Sequence, residues 1–526
     1  MDSNMFVIDP QGNGQQYIED LATAYWHSSA LFTAVELGVF NELEAEGLDH
    51  TELAKRLELE PQACLRFLEA LSALGLVVGD GDNGDNSKYY NSSVASDFLV
   101  KGRPSYQGDS VLWRKGLSSG WEQLSESLKQ GGRVDIPDDD GQSSDDMKSR
   151  FRKYTLAMDA VVRGKAGELA LMFPAQPPGG PTDPIKKMLD VGSGGGAMSA
   201  AFLDKFPGLS TTLMDMPEVL ETAQEMMDDA GFKGRFTLAP SNALESWPFK
   251  DDSFGLIVLS NIVHAFSHDE LQHLLNEAAR CLGPDGIILI HDFFMEHAPQ
   301  KAALFDLNML INTYNGMVFK ASDIIRELES RGLNTTGLFP LSGDTAMVAA
   351  SMESEAIEGL LLDSIKKLAA TFYEYGFNDV REIDVKDVVV ADWTRERCQY
   401  GCDRHGSAHC PPNSPTPDET RRLLGDFKRA IIMEGQPPTR DFQHLVLKAE
   451  REAFKAGYHK AFAYWSGPCT LCDECVTPCR NSKSARPSME GAGMDVFETV
   501  KRAGFTLRPL KDKGDYVKYY ALLLIT

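Results

Sequence analysis

The stretch that most constrains this chain runs from 187 to 199, Lys-Met-Leu-Asp-Val-Gly-Ser-Gly-Gly-Gly-Ala-Met-Ser, with Leu-Met-Asp-Met-Pro from 213 downstream. A short apolar segment ends in Asp190. Glycines stand at the alternate positions Gly192, Gly194 and Gly196, a helix-like segment runs from Ala197 to Phe206, and a second strand-like segment, Thr211 to Met214, closes on Asp215. Strand, glycine turn, helix, strand and acid are the parts of a nucleotide-type site at the carboxyl end of a parallel sheet. Glycine is required where a side chain would keep the backbone away from a ligand. An acid closing the second strand can hydrogen-bond both hydroxyls of a ribose. A glycine-rich turn with no ligand is the plain alternative, and the acids at both ends weigh against it.

A dinucleotide site reads G-x-G-x-x-G and seats pyrophosphate on the helix N-terminus. Here Asp190 stands two residues before the first glycine. It would repel pyrophosphate and suits a cationic ligand, such as the amino group or sulfonium of S-adenosylmethionine. The pattern resembles the first motif of class I methyltransferases. That resemblance implies a cofactor site on Asp190, Gly192, Gly194, Gly196 and Asp215. Asn242 stands where an Asp often contacts adenine, and an amide can make the same hydrogen bond.

The segment around the motif supports a doubly wound sheet. After a turn-rich linker beginning at Pro174, strands are expected at 187–191, 211–215, 235–239, 255–260, 286–292 and 345–350, with helices such as Pro217–Ala230 and Asp269–Leu282 between them. His264 falls just past a buried strand, where it can face the methyl donor. Its surroundings, Asn-Ile-Val-His-Ala-Phe-Ser-His-Asp-Glu from 261, resemble small-molecule O-methyltransferases, in which this histidine is the general base. Imidazole near its ordinary pKa can take the proton of a hydroxyl as that hydroxyl attacks the methyl group. A capping or core histidine is the bland reading, and His268 is expected at the exposed helix start. Ala265-Phe266 replaces the family's usual Asp-Trp, and the acid that usually steadies the base is missing at 317–318; either Asp292, at the end of the fifth expected strand, substitutes for it, or the acceptor needs no strong base.

The N-terminal part reads as helical from Tyr17 to about Phe40, then as two short helices opening at Asp49 and Glu60, then as two strands of a wing, Leu76-Val-Val-Gly and Lys88-Tyr-Tyr-Asn. This is a winged-helix pattern. The second helix carries one base, Arg66, and one acid, Glu69, where a groove reader needs several basic and polar groups. The formal charge of −25 likewise opposes nucleic acid or anionic lipid as a partner. Resemblance to the same O-methyltransferases implies a dimerisation module instead, and hence a homodimer. Residues 105–172 read as long helices broken by an acidic, glycine-rich loop from Gly131 to Asp146; in the family such helices cover the acceptor. Phe151, Tyr154, Met158 and Val162 share a helical stripe, read as core. Cys64 and Cys281 are expected to be buried.

The tail differs in chemistry. From Ala391 onward, 21 Lys and Arg face 17 Asp and Glu, so this segment is basic while the rest is strongly acidic. Seven of the nine cysteines lie here, as Cys398-x3-Cys402-x7-Cys410-Pro-Pro and Cys469-x2-Cys472-x2-Cys475-x3-Cys479. The second group matches the run of bacterial ferredoxins, and short hops can carry a chain around a cubane [4Fe-4S] cluster. Zinc is the runner-up, since zinc ribbons set their cysteine pairs far apart. How the thiols are shared stays open. Cys410 precedes proline and can complete a cluster with Cys469, Cys472 and Cys475; or the tail run binds one cluster while Cys398, Cys402 and Cys410 hold another, with His405 or His409 on its open iron. Exposed loop histidines are the bland reading of both. This tail resembles a family of predicted metal-binding proteins. A helix is expected over Ser351–Tyr375 and strands at Asp387-Val-Val-Val-Ala and from Tyr520 to the end.

The expected architecture is therefore multidomain. A winged-helix dimerisation domain spans 1–105, linking and substrate-covering helices 106–180, a Rossmann-like α/β methyltransferase domain 181–350, and a small α+β cysteine-rich domain 351–526. The expected function is methyl transfer from S-adenosylmethionine to a hydroxyl or other nucleophile of a small molecule, with an accessory iron–sulfur domain and an electron-transfer partner. The alternative is a redox-responsive adenosylmethionine-binding protein without transfer. Met1-Asp-Ser-Asn-Met-Phe has no basic start or long apolar core and no apolar run is long enough to cross a membrane, so the expected location is cytoplasmic.

Overall fold

The structure is a computed structural model and describes residues 14–80, 87–134, 144–174, 186–360, 362, 365, 368–369, 371–372, 375–435, 440–505, 507 and 518–526. The tip of the wing loop (81–86), most of the acidic loop (135–143), most of the linker (175–185) and the N-terminal start lie outside the described residues. The chain divides into two compact units, one of Thr23–Gly337 with Leu341–Leu361, the other chiefly Leu362–Thr526. Among the described residues no helix is long and apolar enough to cross a membrane.

The first unit opens with the expected winged helix. Asp49 starts the helix His50–Arg56 by accepting from the amides of Thr51 and Glu52, and Glu60 with Pro61 starts Pro61–Ala73 in the same way. Strands β1 (Val77–Gly79) and β2 (Tyr89–Asn91) pair antiparallel as the wing. Leu53, Leu68, Leu71, Val77 and Tyr89 share the core beneath it.

Beyond the long helix Ser144–Met172 comes the sheet of β3 (Lys187–Val191), β4 (Ser210–Asp215), β5 (Phe236–Pro240), β6 (Phe254–Ser260), β7 (Leu282–Asp292), β8 (Asn334–Thr335), the two-residue β9 (Phe339–Pro340) and β10 (Ala346–Ser351). The order along the main path is β5-β4-β3-β6-β7-β10-β8. The first five strands of that order are parallel, but β10 runs antiparallel to both β7 and β8, so the sheet is mixed and not wholly parallel as expected. Its central strands are buried on both faces, which is why they read as unbroken apolar runs.

The helix Ser144–Met172 corrects a second expectation. Thr155, Ala157, Asp159, Ala160, Leu169 and Ala170 form its buried face, whereas Tyr154 is 39% exposed and Phe151, Met158 and Val162 are only half-buried. The apolar stripe stays partly exposed while small residues such as Ala157, Ala160 and Ala170 are buried.

The second unit is a sheet of β11 (Asp379–Asp384), β12 (Arg429–Gly435), β13 (Phe462–Tyr464) and β14 (Tyr519–Leu524), antiparallel in the order β11-β12-β14-β13. Ile432 and Leu522 face one core with Met489 and Val500, while Ile431 and Leu523 face another with Phe442, Val446 and Ala449. A sheet covered on both faces needs apolar residues at every step, which accounts for the run at the C-terminal end. The strand expected at Asp387–Ala391 is not formed. The strand lies earlier, at Asp379–Asp384, and Asp384 ends it by accepting from the Lys386 amide in a 3-10 turn. The helix expected over Ser351–Tyr375 is not one continuous element: Ser351 still belongs to β10, a short helix runs Ser354–Glu358 and ends at Gly359, and much of 361–374 lies outside the described residues.

Candidate active site and thiol cavity

The glycine loop leaves β3 and turns into the helix Ala197–Lys205. The amides of Gly192 and Ser193 both donate to the Met214 carbonyl, which pins the loop against β4. A Cβ on Gly192 would sit 2.2 Å from Ile262, and one on Gly196 would sit 2.8 Å from Met227. These glycines are packing positions. Gly194 differs: its φ is +54°, yet nothing stands within 4 Å of where its Cβ would be. The backbone there is left-handed and faces open space, as a ligand cradle requires.

The two flanking acids divide their work. Asp190 is fully buried, and its Oδ2 accepts from both the amide (3.1 Å) and the hydroxyl (2.7 Å) of Ser199. It anchors the first turn of the following helix and directs that oxygen into the protein. Burial pushes its carboxyl up to about 7 against the lowering effect of Ser199, and the nearby Asp215 adds to the rise. Asp215 accepts from the Gly194 amide at 2.9 Å and from the Met216 amide at 2.7 Å. Burial raises its pKa too. At the end of β5, exposed Asn242 caps a turn through Oδ1 to the Leu244 amide at 3.0 Å, while the neighbouring Ser241 amide donates to the Asp215 carbonyl.

Sequence reasoning did not single out what covers this loop. Asp159, from the long helix, lies where a Cβ on Gly195 would be 2.8 Å from its Oδ1, and it is paired with Arg163. Tyr154, one turn earlier, has its phenol pushed up to about 12, by burial first and then by the Asp215 carboxylate. Trp113 meets its ring edge-on at 5.2 Å. Tyr154 and Asp159 are five residues apart, a spacing that does not mark a shared helix face, and nothing in it says which strand end they cover.

His264 sits in a 3-10 turn, Val263–Ala265, just past β6. Its Nδ1 lies 2.6 Å from Asp292 Oδ1, and its amide donates to Asp292 Oδ2 at 3.2 Å. Asp292 ends β7, the strand next to β6, so strand register brings the pair together. Phe305 meets the imidazole edge-on at 5.0 Å and stacks on Phe293 at 4.0 Å. The loop 313–317 holds the turn from behind: the Met317 amide donates to the His264 carbonyl, and a Cβ on Gly316 would lie 2.6 Å from that oxygen. The carboxylate beside the imidazole is therefore Asp292, and not a residue at 317–318. His268 opens the next helix behind the Ser267–Glu270 capping box, as expected. Trp113, Gly116, Gly120, Arg133, Arg150 and Asn312 line a cleft, and Trp121 donates to Asn308 at 3.2 Å.

In the second unit Cys410, Cys469, Cys472, Cys475 and Cys479 line one cavity together with His409. All nine cysteines are free thiols; Cys64 and Cys281 are buried as expected, each pushed up to about 11 chiefly by burial. Cys410 is also raised to about 11, by burial and then by the charges of Cys402, Cys398, Cys475 and Cys469. That ties Cys398 and Cys402 to the cluster although they do not line the cavity. Asn481 donates its side-chain amide to the Cys472 sulfur at 2.8 Å and its backbone amide to Cys479 at 3.3 Å. Among the described residues no group of three or more His, Cys, Asp or Glu is arranged so that it could hold a metal ion as it stands. Converging thiols that repel one another, with N–H donors aimed at sulfur, are nevertheless the donor set that suits a thiophilic metal.

Three stretches match family models. Residues 19–101 match the O-methyltransferase dimerisation domain and residues 182–334 the O-methyltransferase domain. The mitomycin biosynthesis 6-O-methyltransferase of Streptomyces lavendulae is 26% identical over 336 residues, 62% of this chain and 91% of that protein. The tetracenomycin polyketide synthesis 8-O-methyl transferase TcmO of Streptomyces glaucescens is 28% identical over 333 residues, 62% of this chain and 93% of that protein. This chain is an S-adenosylmethionine-dependent O-methyltransferase. The fold of the methyltransferase agrees. The structure of mitomycin 7-O-methyltransferase MmcR covers 64% of this chain and 97% of its own, at TM-score 0.52 and 25% identity. That of human N-acetylserotonin methyltransferase in complex with SAM covers 65% and 99%, at TM-score 0.56 and 21% identity. Beyond these regions, residues 381–525 of the methyltransferase match a predicted metal-binding protein family (DUF2284).

Proposed function

We propose that His264 is the general base that accepts the proton of a small-molecule hydroxyl, with Asp292 as its positioning residue. The single observation that carries this is the 2.6 Å contact between His264 Nδ1 and Asp292 Oδ1 at the ends of neighbouring strands. A carboxylate on Nδ1 keeps that nitrogen protonated and leaves the Nε2 lone pair for the acceptor. S-adenosylmethionine, when bound, supplies the electrophilic methyl group; the acceptor oxygen forms the new C–O bond as the C–S bond breaks. Gly194 gives close backbone approach, Asp215 is placed for ribose hydroxyls, and Asn242 offers its amide to adenine. Gly192 and Gly196 shape the loop, and Asp190 holds it through Ser199. Phe293 and Phe305 keep water from the imidazole. Methyl transfer by H264A to a panel of phenols should fall at least about 100-fold while calorimetry shows unchanged cofactor affinity. Activity at the wild-type level would remove His264 from the role.

The thiol cavity supports a metal centre on Cys410, Cys469, Cys472, Cys475 and Cys479, with Cys398 and Cys402 close by. The tail spacing favours an iron–sulfur cluster of the [4Fe-4S] type, and zinc is the rival. Iron and sulfide content of anaerobically purified protein decides between them. A homodimer follows from the dimerisation domain, in whose first described helices Tyr25 and Trp26 are exposed. Free thiols throughout suit a reducing compartment such as the cytoplasm.

A further inference from the structure

His409 lines the same cavity as Cys410, Cys469, Cys472, Cys475 and Cys479. Its Nε2 is buried and makes no hydrogen bond among the described residues. His405, four residues earlier on the same loop, is exposed and does not line the cavity, so the sequence pattern alone does not separate the two. A buried imidazole nitrogen without a partner is costly unless something occupies the space it faces. Around it stand thiols, which bind metal, and Asn481, which already spends its amides on the sulfurs of Cys472 and Cys479.

We propose that His409 is a ligand of the metal centre and binds through Nε2, which makes the centre a mixed sulfur–nitrogen site. The inference rests on reading the cavity as a metal centre. Imidazole is a ligand for both iron and zinc, and histidine replaces cysteine in some clusters of otherwise cysteine ligation. Compared with a site of thiolates alone, a neutral nitrogen donor lowers the negative charge gathered in this cavity.

The test uses the full chain purified anaerobically, wild type against H409A and H409C. If the bound metal is iron, pulsed paramagnetic resonance of the dithionite-reduced protein should show a strongly coupled nitrogen. Labelling with 15N-histidine should alter that signal, and both variants should lack it. If the metal is zinc, X-ray absorption should show a nitrogen in the first shell that is replaced by sulfur in H409C. H409C should retain wild-type metal content, which separates loss of a ligand from loss of the fold. Metal bound by wild type with no such nitrogen, and H409A unchanged in spectrum, overturns the proposal and leaves the metal centre standing. A wild-type chain that holds neither iron nor zinc overturns both.

Discussion

Nδ1 of His264 and Oδ1 of Asp292 lie 2.6 Å apart, and the second Asp292 oxygen takes the His264 amide. One carboxylate therefore fixes both the ring and the turn that carries it. Asparagine at 292 would present an amide of ambiguous orientation and favour the wrong tautomer. D292N should lower the rate of methyl transfer by about 100-fold or more, with little change in affinity for S-adenosylhomocysteine. Single-turnover assays beside calorimetry read the two quantities separately, and an unchanged rate would show that the pair is structural only.

The loop glycines should separate by what their missing Cβ would meet. G192A places a methyl 2.2 Å from Ile262 and should lower the melting temperature. G194A meets no protein atom, so its cost is the left-handed backbone, on the order of 1 kcal/mol, and its main effect should be weaker binding of S-adenosylhomocysteine. Thermal melts with and without that ligand test the contrast. Equal ligand affinity in G194A and wild type would count against the cradle.

Asp190 makes stability depend on pH with a definite sign. Its carboxyl is raised from 3.8 to about 7, so between those values the folded state binds more proton than the unfolded state. Folding stability from this group is then greatest at low pH and declines as pH rises through that window, by up to about 1.4 kcal/mol per unit. D190N removes the titration while an amide oxygen can still accept from Ser199. The stability difference between wild type and D190N, measured by denaturant unfolding at pH 5 and pH 8, should shift in favour of D190N at the higher value. A difference independent of pH would mean that the carboxyl is ionised throughout.

Cys64 is buried and Cys410 half-buried, and both have a raised pKa, yet of the two only Cys410 shares a cavity with other thiols. C410S should lose most of the bound metal, whereas C64S should keep it and lose some stability in the N-terminal core. Metal analysis of the two variants gives the answer. Equal metal content would exclude Cys410 from the ligand set.

Tyr25 and Trp26 present large apolar surface in the dimerisation domain, at 63% and 58% exposure. Apolar groups of this size are concentrated at interfaces. W26E should shift the protein from dimer to monomer in light scattering, with the melting temperature of the monomer read in parallel. A variant that stays dimeric would place the interface elsewhere.

Much of this molecule is legible in its amino-acid order. The apolar runs ending at Asp190 and Ser260, the glycines between strand and helix, and the caps at Asp49 and Ser267 are local signals, and local backbone chemistry acts on them directly. The cysteine spacing is local in the same sense. What depends on strand order is less readable there: the sequence offers Asp292 only as a candidate beside His264, and the two meet because β6 and β7 are neighbours in register. The face of a long helix that is buried likewise depends on what it packs against, which is why Tyr154 stays partly exposed while Thr155 and Asp159 are buried. His405 and His409 look alike in sequence, and only folding of the loop buries one of them against the thiols. Sequence by itself determined the elements, the cradle and the thiol-rich tail, because these follow from backbone freedom and short-range spacing. Tertiary structure decided that the His264 imidazole and the Asp292 carboxylate, a pairing the sequence could only nominate, actually meet, and which histidine joins the cavity, because those are contacts between segments distant along the chain or choices among identical side chains.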